Sequence, residues 1–177
     1  EAALFLALSA SSPFLDGRAT GAHSQRWLQF PLTPEFVPLF LDHQHYVKWV
    51  EEQLASGSMK NERHLWTSVR PNGRNRPYSL NRLELRVCDL ITDFDLLLSI
   101  TALIELRVIS LLRDPSKLDP LIKSQLTVNE LTKLSTLNDY SAAQNSLDSN
   151  LINWVDGETI LCRDWLSQLV EEVRPIA

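Results

Sequence analysis

Cysteine is scarce in this chain of 177 residues: Cys88 and Cys162 are the only two. Two thiols in apolar settings make no disulfide framework, and they suit a reducing cytoplasm. Basic charge is also short. Lys and Arg number 17 against 22 Asp and Glu, a net charge of −5, which argues against general attraction to nucleic acid or to an anionic membrane. The longest apolar stretch, Phe94 to Leu112, is interrupted by Asp95, Glu105 and Arg107; it reads as a buried helix rather than a bilayer span. Internal repeats, low-complexity tracts and metal-type Cys/His spacings are lacking. The opening EAALFLALSASSPF is apolar but has no basic n-region, so it does not fit a signal peptide. It begins without Met and within an expected helix, as a piece of a longer chain would.

What remains is ordinary globular composition, 44% apolar and 22% charged, enough for one unit with a sizeable core. An apolar helix is expected over residues 1–10. A long irregular segment follows over 11–33, marked by Ser-Ser-Pro, Asp-Gly-Arg and Thr-Gly turn signals. Helical spacing returns over 34–53, with Pro34 suited to the first turn and Gly57 to the stop. Strands are expected over 65–70 and 80–88, joined by a Pro/Gly/Asn/Arg loop, and a long helix over 93–112. The last third reads as helical, with capping-box spacing at Thr127-Val-Asn-Glu130, a turn at Asp156-Gly157 and an amphipathic helix over 162–173. The fold class is α+β, mostly helical with a small antiparallel sheet.

Charge is unevenly placed. Residues 60–86 carry Lys60, Arg63, Arg70, Arg74, Arg76, Arg82 and Arg86 against Glu62 and Glu84. That segment is +5 and the remainder −10, so a small multiply charged anion has one candidate site. Within it lies Asn81-Arg82-Leu83-Glu84-Leu85-Arg86-Val87-Cys88-Asp89. Strand alternation puts Arg82, Glu84 and Arg86 on one face, about 7 Å apart along the backbone, and Leu83, Leu85 and Val87 on the other. A carboxylate between guanidiniums suits phosphoryl transfer, where it holds Mg²⁺ while the arginines grip phosphate or carboxylate oxygens. An ion-pair ladder on a wet sheet face gives the same pattern.

Three stretches resemble the glutamate–cysteine ligase family of the bacterial carboxylate–amine ligase type, with its cyanobacterial members nearest in look. Leu6-Ala-Leu-Ser-Ala-Ser-Ser-Pro-Phe14, with Asp16-Gly17-Arg18, Thr20-Gly21, Ser24 and Arg26, is similar to its apolar helix and Gly/Thr loop. Ser68-Val-Arg70-Pro71 with Leu83-Glu84-Leu85-Arg86-Val87-Cys88-Asp89 is similar to its paired core strands. Residues 138–177, with Ser146-Leu-Asp148, Trp154, Asp156-Gly157 and Pro175-Ile-Ala177, resemble its helical tail. That family's loop usually has an aromatic where Leu15 stands and an acid where Ala19 stands.

The resemblance implies the C-terminal half of a larger ligase domain, its strands forming half of a glutamine-synthetase-like catalytic sheet. Residues 1–33 would be a helix and substrate loop, 34–113 a helix, strand pair and core helix, and 114–177 a helical tail. The implied reaction joins the γ-carboxylate of L-glutamate to L-cysteine with ATP and Mg²⁺, through a γ-glutamyl phosphate, the first step of glutathione biosynthesis. By analogy with the R-x-E-x-R strand of glutamine synthetases, Glu84 would be the metal ligand and, with Arg86 on the reacting carboxylate, catalytic. Arg82 and Arg70 would contact phosphates, and Ser12, Thr20 and Arg26 would line the substrate side. The implied partner is the N-terminal half, whose Gly-x-Glu-x-Glu strand supplies the other metal carboxylates. No nucleic acid or membrane partner is implied; a homo-oligomer is left open. Another acceptor amine, or a non-catalytic helical module that binds a protein, stays open beside this reading.

Other residues suggest less. His43 and His45 lie about 200° apart around a helix and do not converge on a metal. Cys88 has no neighbouring base to activate it. The five tryptophans are scattered, as core anchors are.

Overall fold

The computed structural model describes residues 1–29, 34, 36–62, 65, 69–71 and 83–177. Helix α1 (Ala2–Ser9) is the centre of the molecule. Its residues are apolar on every side, and Ala3 to Ala7 are all buried, as the sequence requires of a helix with no polar face. It packs against α7 (Val128–Asn145) and α8 (Cys162–Val173). Leu151, Trp165, Leu169 and Val87 complete this core. A smaller cluster gathers Tyr46, Val50, Met59 and Leu65 around α3 (His43–Ala55).

The class is α+β, but the strands form three separate antiparallel pairs among the described residues. The segment expected to be irregular contains one of them, β1 (Phe14–Leu15) and β2 (Arg18–Ala19). Asp16 and Gly17 turn the chain with φ of 49° and 75°; two positive φ values in succession match the twist of a two-residue hairpin. A short helix, α2 (Gln25–Gln29), follows. The helix expected over 34–53 starts only at His43. Pro38 would break a helix through that stretch, and the Asp42 carboxylate accepts from the His45 amide at 2.7 Å to cap the shorter one.

Strands β3 (Val69–Pro71) and β4 (Leu83–Leu85) pair in the register Val69–Leu85, Arg70–Glu84, Pro71–Leu83. Of the expected strands, 66–68 and 80–82 lie outside the described residues, and Leu65 and residues 86–88 are not in a strand. Beyond Leu85 the chain leaves the ladder. Its apolar face is only partly closed: Val87 is in the core, whereas Leu83 is 70% exposed. A cavity of about 480 Å³ lies below β3 and β4, bounded by Leu85, Ile104, Val108 and Leu111. The last three belong to α4 (Phe94–Arg113), capped by Asp93 on the Leu96 amide. Short helices α5 (Pro115–Leu118) and α6 (Pro120–Lys123) lead to α7, whose Thr127–Glu130 capping box forms as its spacing predicts.

The C-terminal third also holds a hairpin where only helix is expected. Strands β5 (Asn150–Ile152) and β6 (Thr159–Leu161) flank the Asp156-Gly157 turn. The Asn138 side chain receives the Ile152 amide and donates to its carbonyl, both at 2.8 Å, so an amide side chain stands in for a third strand. No described helix is long and apolar enough to cross a membrane.

Candidate functional site

Arg70 and Glu84 face each other across β3–β4, so both side chains rise from the same side of the pair. Arg70 Nη2 donates to Glu84 Oε2 at 2.5 Å and its Nε reaches the same oxygen at 3.2 Å. Arg86, two residues along, brings its Nε to 3.8 Å from the other oxygen, Oε1. The guanidiniums are the sheltered partners, at 8% and 19% exposed, while the Glu84 side chain is 46% exposed. A half-open carboxylate therefore sits between two more enclosed cations. Guanidinium forks in such shelter suit phosphate or carboxylate oxygens. Arg82, with Arg63, Arg74 and Arg76 of the basic segment, lies outside the described residues.

Among the described residues no three His, Cys, Asp or Glu side chains converge as a metal cage. Glu84 alone does not hold a hard cation. As a single half-exposed carboxylate it would supply one ligand at most, and Mg²⁺ takes one or two carboxylates with waters and phosphate oxygens for the rest.

The remaining sequence candidates assemble elsewhere. Ser12 and Arg26 meet at Asp89, which the sequence reading used only as part of a motif. Ser12 Oγ donates to Asp89 Oδ2 at 2.7 Å and the Ser11 amide at 3.1 Å. Arg26 Nε donates to Oδ1 at 2.5 Å, and its Nη2 donates to the carbonyls of Val87 at 2.8 Å and Cys88 at 2.9 Å. Those two carbonyls follow the point where β4 ends, so a guanidinium replaces the missing ladder partner. Burial pushes the Asp89 carboxyl up, but the bonds from Ser12, Arg26 and the Ser11 amide outweigh it and hold the group below the usual carboxylate range. Thr20 stands apart: its hydroxyl donates to the Pro13 carbonyl at 2.9 Å and closes the neck of the β1–β2 hairpin. The hydroxyl run Ser9, Ser11, Ser12 beside one arginine was the available signal for this network. Pairing it with a carboxylate more than sixty positions away needed the fold.

The family model of glutamate–cysteine ligase family 2 matches residues 1–177, the whole chain. The chain belongs to glutamate–cysteine ligase family 2. A Sorangium cellulosum relative named "Putative glutamate--cysteine ligase 2" is 31% identical over 97% of this chain and 44% of its own length. A Rubrobacter xylanophilus relative, "Putative glutamate--cysteine ligase 2-3", is 28% identical over 98% of this chain and 44% of its own. A third, from Herpetosiphon aurantiacus and named like the first, is 28% identical over 95% and 41%. The chain thus spans less than half the length of these curated relatives. Within this glutamate–cysteine ligase family 2 chain, Glu84 of the basic strand pair and Asp89 of the network are five steps apart along the chain, at most about 17 Å of extended backbone.

Proposed function

We propose that this chain contributes the β3–β4 face of a ligase that joins the γ-carboxylate of L-glutamate to the amine of L-cysteine using Mg-ATP, the first step of glutathione biosynthesis. The observation that carries it is the Arg70–Glu84–Arg86 arrangement in a chain of this family. A γ-carboxylate oxygen would attack the terminal phosphorus of ATP, and the bond to ADP would break. The cysteine nitrogen would then attack the acyl phosphate carbon, lose a proton, and expel phosphate. Bound Mg²⁺ would neutralise phosphate charge, with Glu84 as one of its ligands. Arg86 would orient the reacting carboxylate, and Arg70 and Arg82 the phosphates. This is catalysis by positioning and charge, without a covalent enzyme intermediate.

The rest of a full-length ligase would supply the other metal carboxylates and cover the apolar surface left open here, on Leu83 and on the outer side of α4 at Phe94, Leu98 and Leu112. The chain by itself would then be inactive. Its two thiols suit the cytoplasm. ADP release by the full-length protein, measured with glutamate plus cysteine and with each omitted, tests the reading. Release that requires both amino acids supports it, and none with any acceptor amine overturns it.

A further inference from the structure

We propose that Asp89 is a positioning residue that fixes the 11–26 loop and the 86–89 segment in one register, so that the β1–β2 hairpin and Arg86 meet the amino-acid substrate together. This rests on the ligase reading above.

Asp89 gathers contacts from both segments. Its side chain is 1% exposed. Its carboxylate takes the Ser11 amide, the Ser12 hydroxyl and the Arg26 guanidinium, and its own amide donates to Ser9 Oγ at 3.2 Å. Arg26 continues to the Val87 and Cys88 carbonyls. Ser12 Oγ also accepts from the Arg26 amide at 3.3 Å, which closes the circuit. The loop is tied on its far side as well: the amides of His23 and Ser24 donate to the Ala143 carbonyl at the end of α7, at 3.0 and 2.8 Å.

The β1–β2 hairpin does not hold itself: residues 14–21 are exposed throughout, too little buried apolar surface to fix it by packing. The 86–89 segment is anchored from its other side by Val87 in the core. A buried ion pair is a poor way to add stability, since a well-packed apolar pair does as well or better; its better-attested use is to specify register. The clamp sits between a projecting hairpin and the core-anchored segment that carries Arg86.

The test uses the full-length protein and two variants, Asp89→Asn and Arg26→Lys. Lys keeps the charge beside Asp89 but loses the fork to the two carbonyls. In both, the KM for glutamate is expected to rise about ten- to a hundred-fold, as for a misplaced binding group, with the KM for Mg-ATP within about two-fold of wild type. Amide hydrogen exchange should quicken in 11–26 and 86–89 together and stay unchanged in α7 and α8. An unmoved glutamate KM, equal changes for both substrates, or faster exchange in one segment alone would overturn the role of Asp89. Wild-type protein that releases no ADP would overturn the ligase reading instead, and this role with it. If Asp89→Asn fails to fold, Arg26→Lys decides.

Discussion

Arg70 and Glu84 are cross-strand partners whose guanidinium and carboxylate touch at 2.5 Å, with the cation enclosed and the anion half open. The enclosed partner depends on the open one. A ligand that draws the carboxylate away, or adds a second anion beside it, reaches a guanidinium already stripped of water, where Coulomb attraction is stronger than at a wet surface.

Glu84→Gln in the full-length protein is therefore expected to lower glutamate- and cysteine-dependent ADP release by about a hundred-fold or more, the usual effect of removing a charge-stabilising group. Gln keeps an oxygen for Arg70 but not the charge, so the variant should still fold, with a lowered melting temperature. Full activity, or a variant that does not fold, would sink the assignment.

The Asp89 network carries a pH dependence of defined sign. Its carboxyl lies below the ordinary range in the folded state, so its contribution is complete above the unfolded value near about 3.9 and fades as pH falls through the folded value. In urea unfolding, Asp89→Asn should be less stable than wild type at pH 7 by about 1.5–3 kcal/mol, the range for hydrogen bonds to a charged group. The difference should shrink below about pH 4. A difference that stays constant from pH 7 to pH 3 would mean the ionised form is not what the network binds.

Caps and the pairing of the two basic strands are legible in the sequence, whereas short hairpins and side-chain convergence across the fold are not. The Thr127–Glu130 box, the Asp93 start of α4 and the limits of α8 are written within a few neighbouring residues. Helix α3 was expected too early because its apolar spacing continues through Pro38, which outweighs spacing. Strands β5 and β6 are three residues each, too short for alternation to show, and they owe their place to Asn138 on α7. At the site, alternation alone put Glu84 and Arg86 on one face. That Arg70 stands opposite Glu84 depends on register, and the convergence of Ser12 and Arg26 on Asp89 depends on the whole fold.

Arg107 is a buried cation on α4 that joins Glu1 and Glu172. Glu172 is mostly exposed and adds little; the enclosed Glu1 carboxylate is the one that needs it. Arg107→Ala should cost about 3 kcal/mol by leaving that acid with the Trp154 indole N–H but without its guanidinium, and adding Glu1→Gln should recover part of the loss. A double variant no more stable than the single one would show that the Arg107 stem, rather than its charge, is what matters.

Cys162 is wholly enclosed at the start of α8. Burial pushes its thiol up to about 11, against a smaller opposing hydrogen bond with Ser149, and burial raises Cys88 as well. A folded value above the unfolded one, near about 8.5, contributes stability at neutral pH that is lost as pH climbs toward 11. At pH 8 the native protein should leave Cys162 unmodified by iodoacetamide, with alkylation following unfolding. Prompt labelling of Cys162 in native protein would contradict its burial.

The outer side of α4 gives the last prediction. Phe94, Leu98 and Leu112 are exposed along a helix whose opposite side is already in the core, and large apolar side chains on both sides of a helix suit a place inside a larger structure. If the remainder of a full-length ligase covers this side, Leu98→Glu in the full-length protein puts a charge into an interface. It should then destabilise by about 2 kcal/mol or more and lower soluble yield, well beyond the roughly 0.5 kcal/mol expected of a solvent-facing change. Melting curves of the wild type and this variant decide it. An unchanged melting temperature would leave the outer side of α4 open to solvent in the complete protein and would remove it from the contact between the two parts.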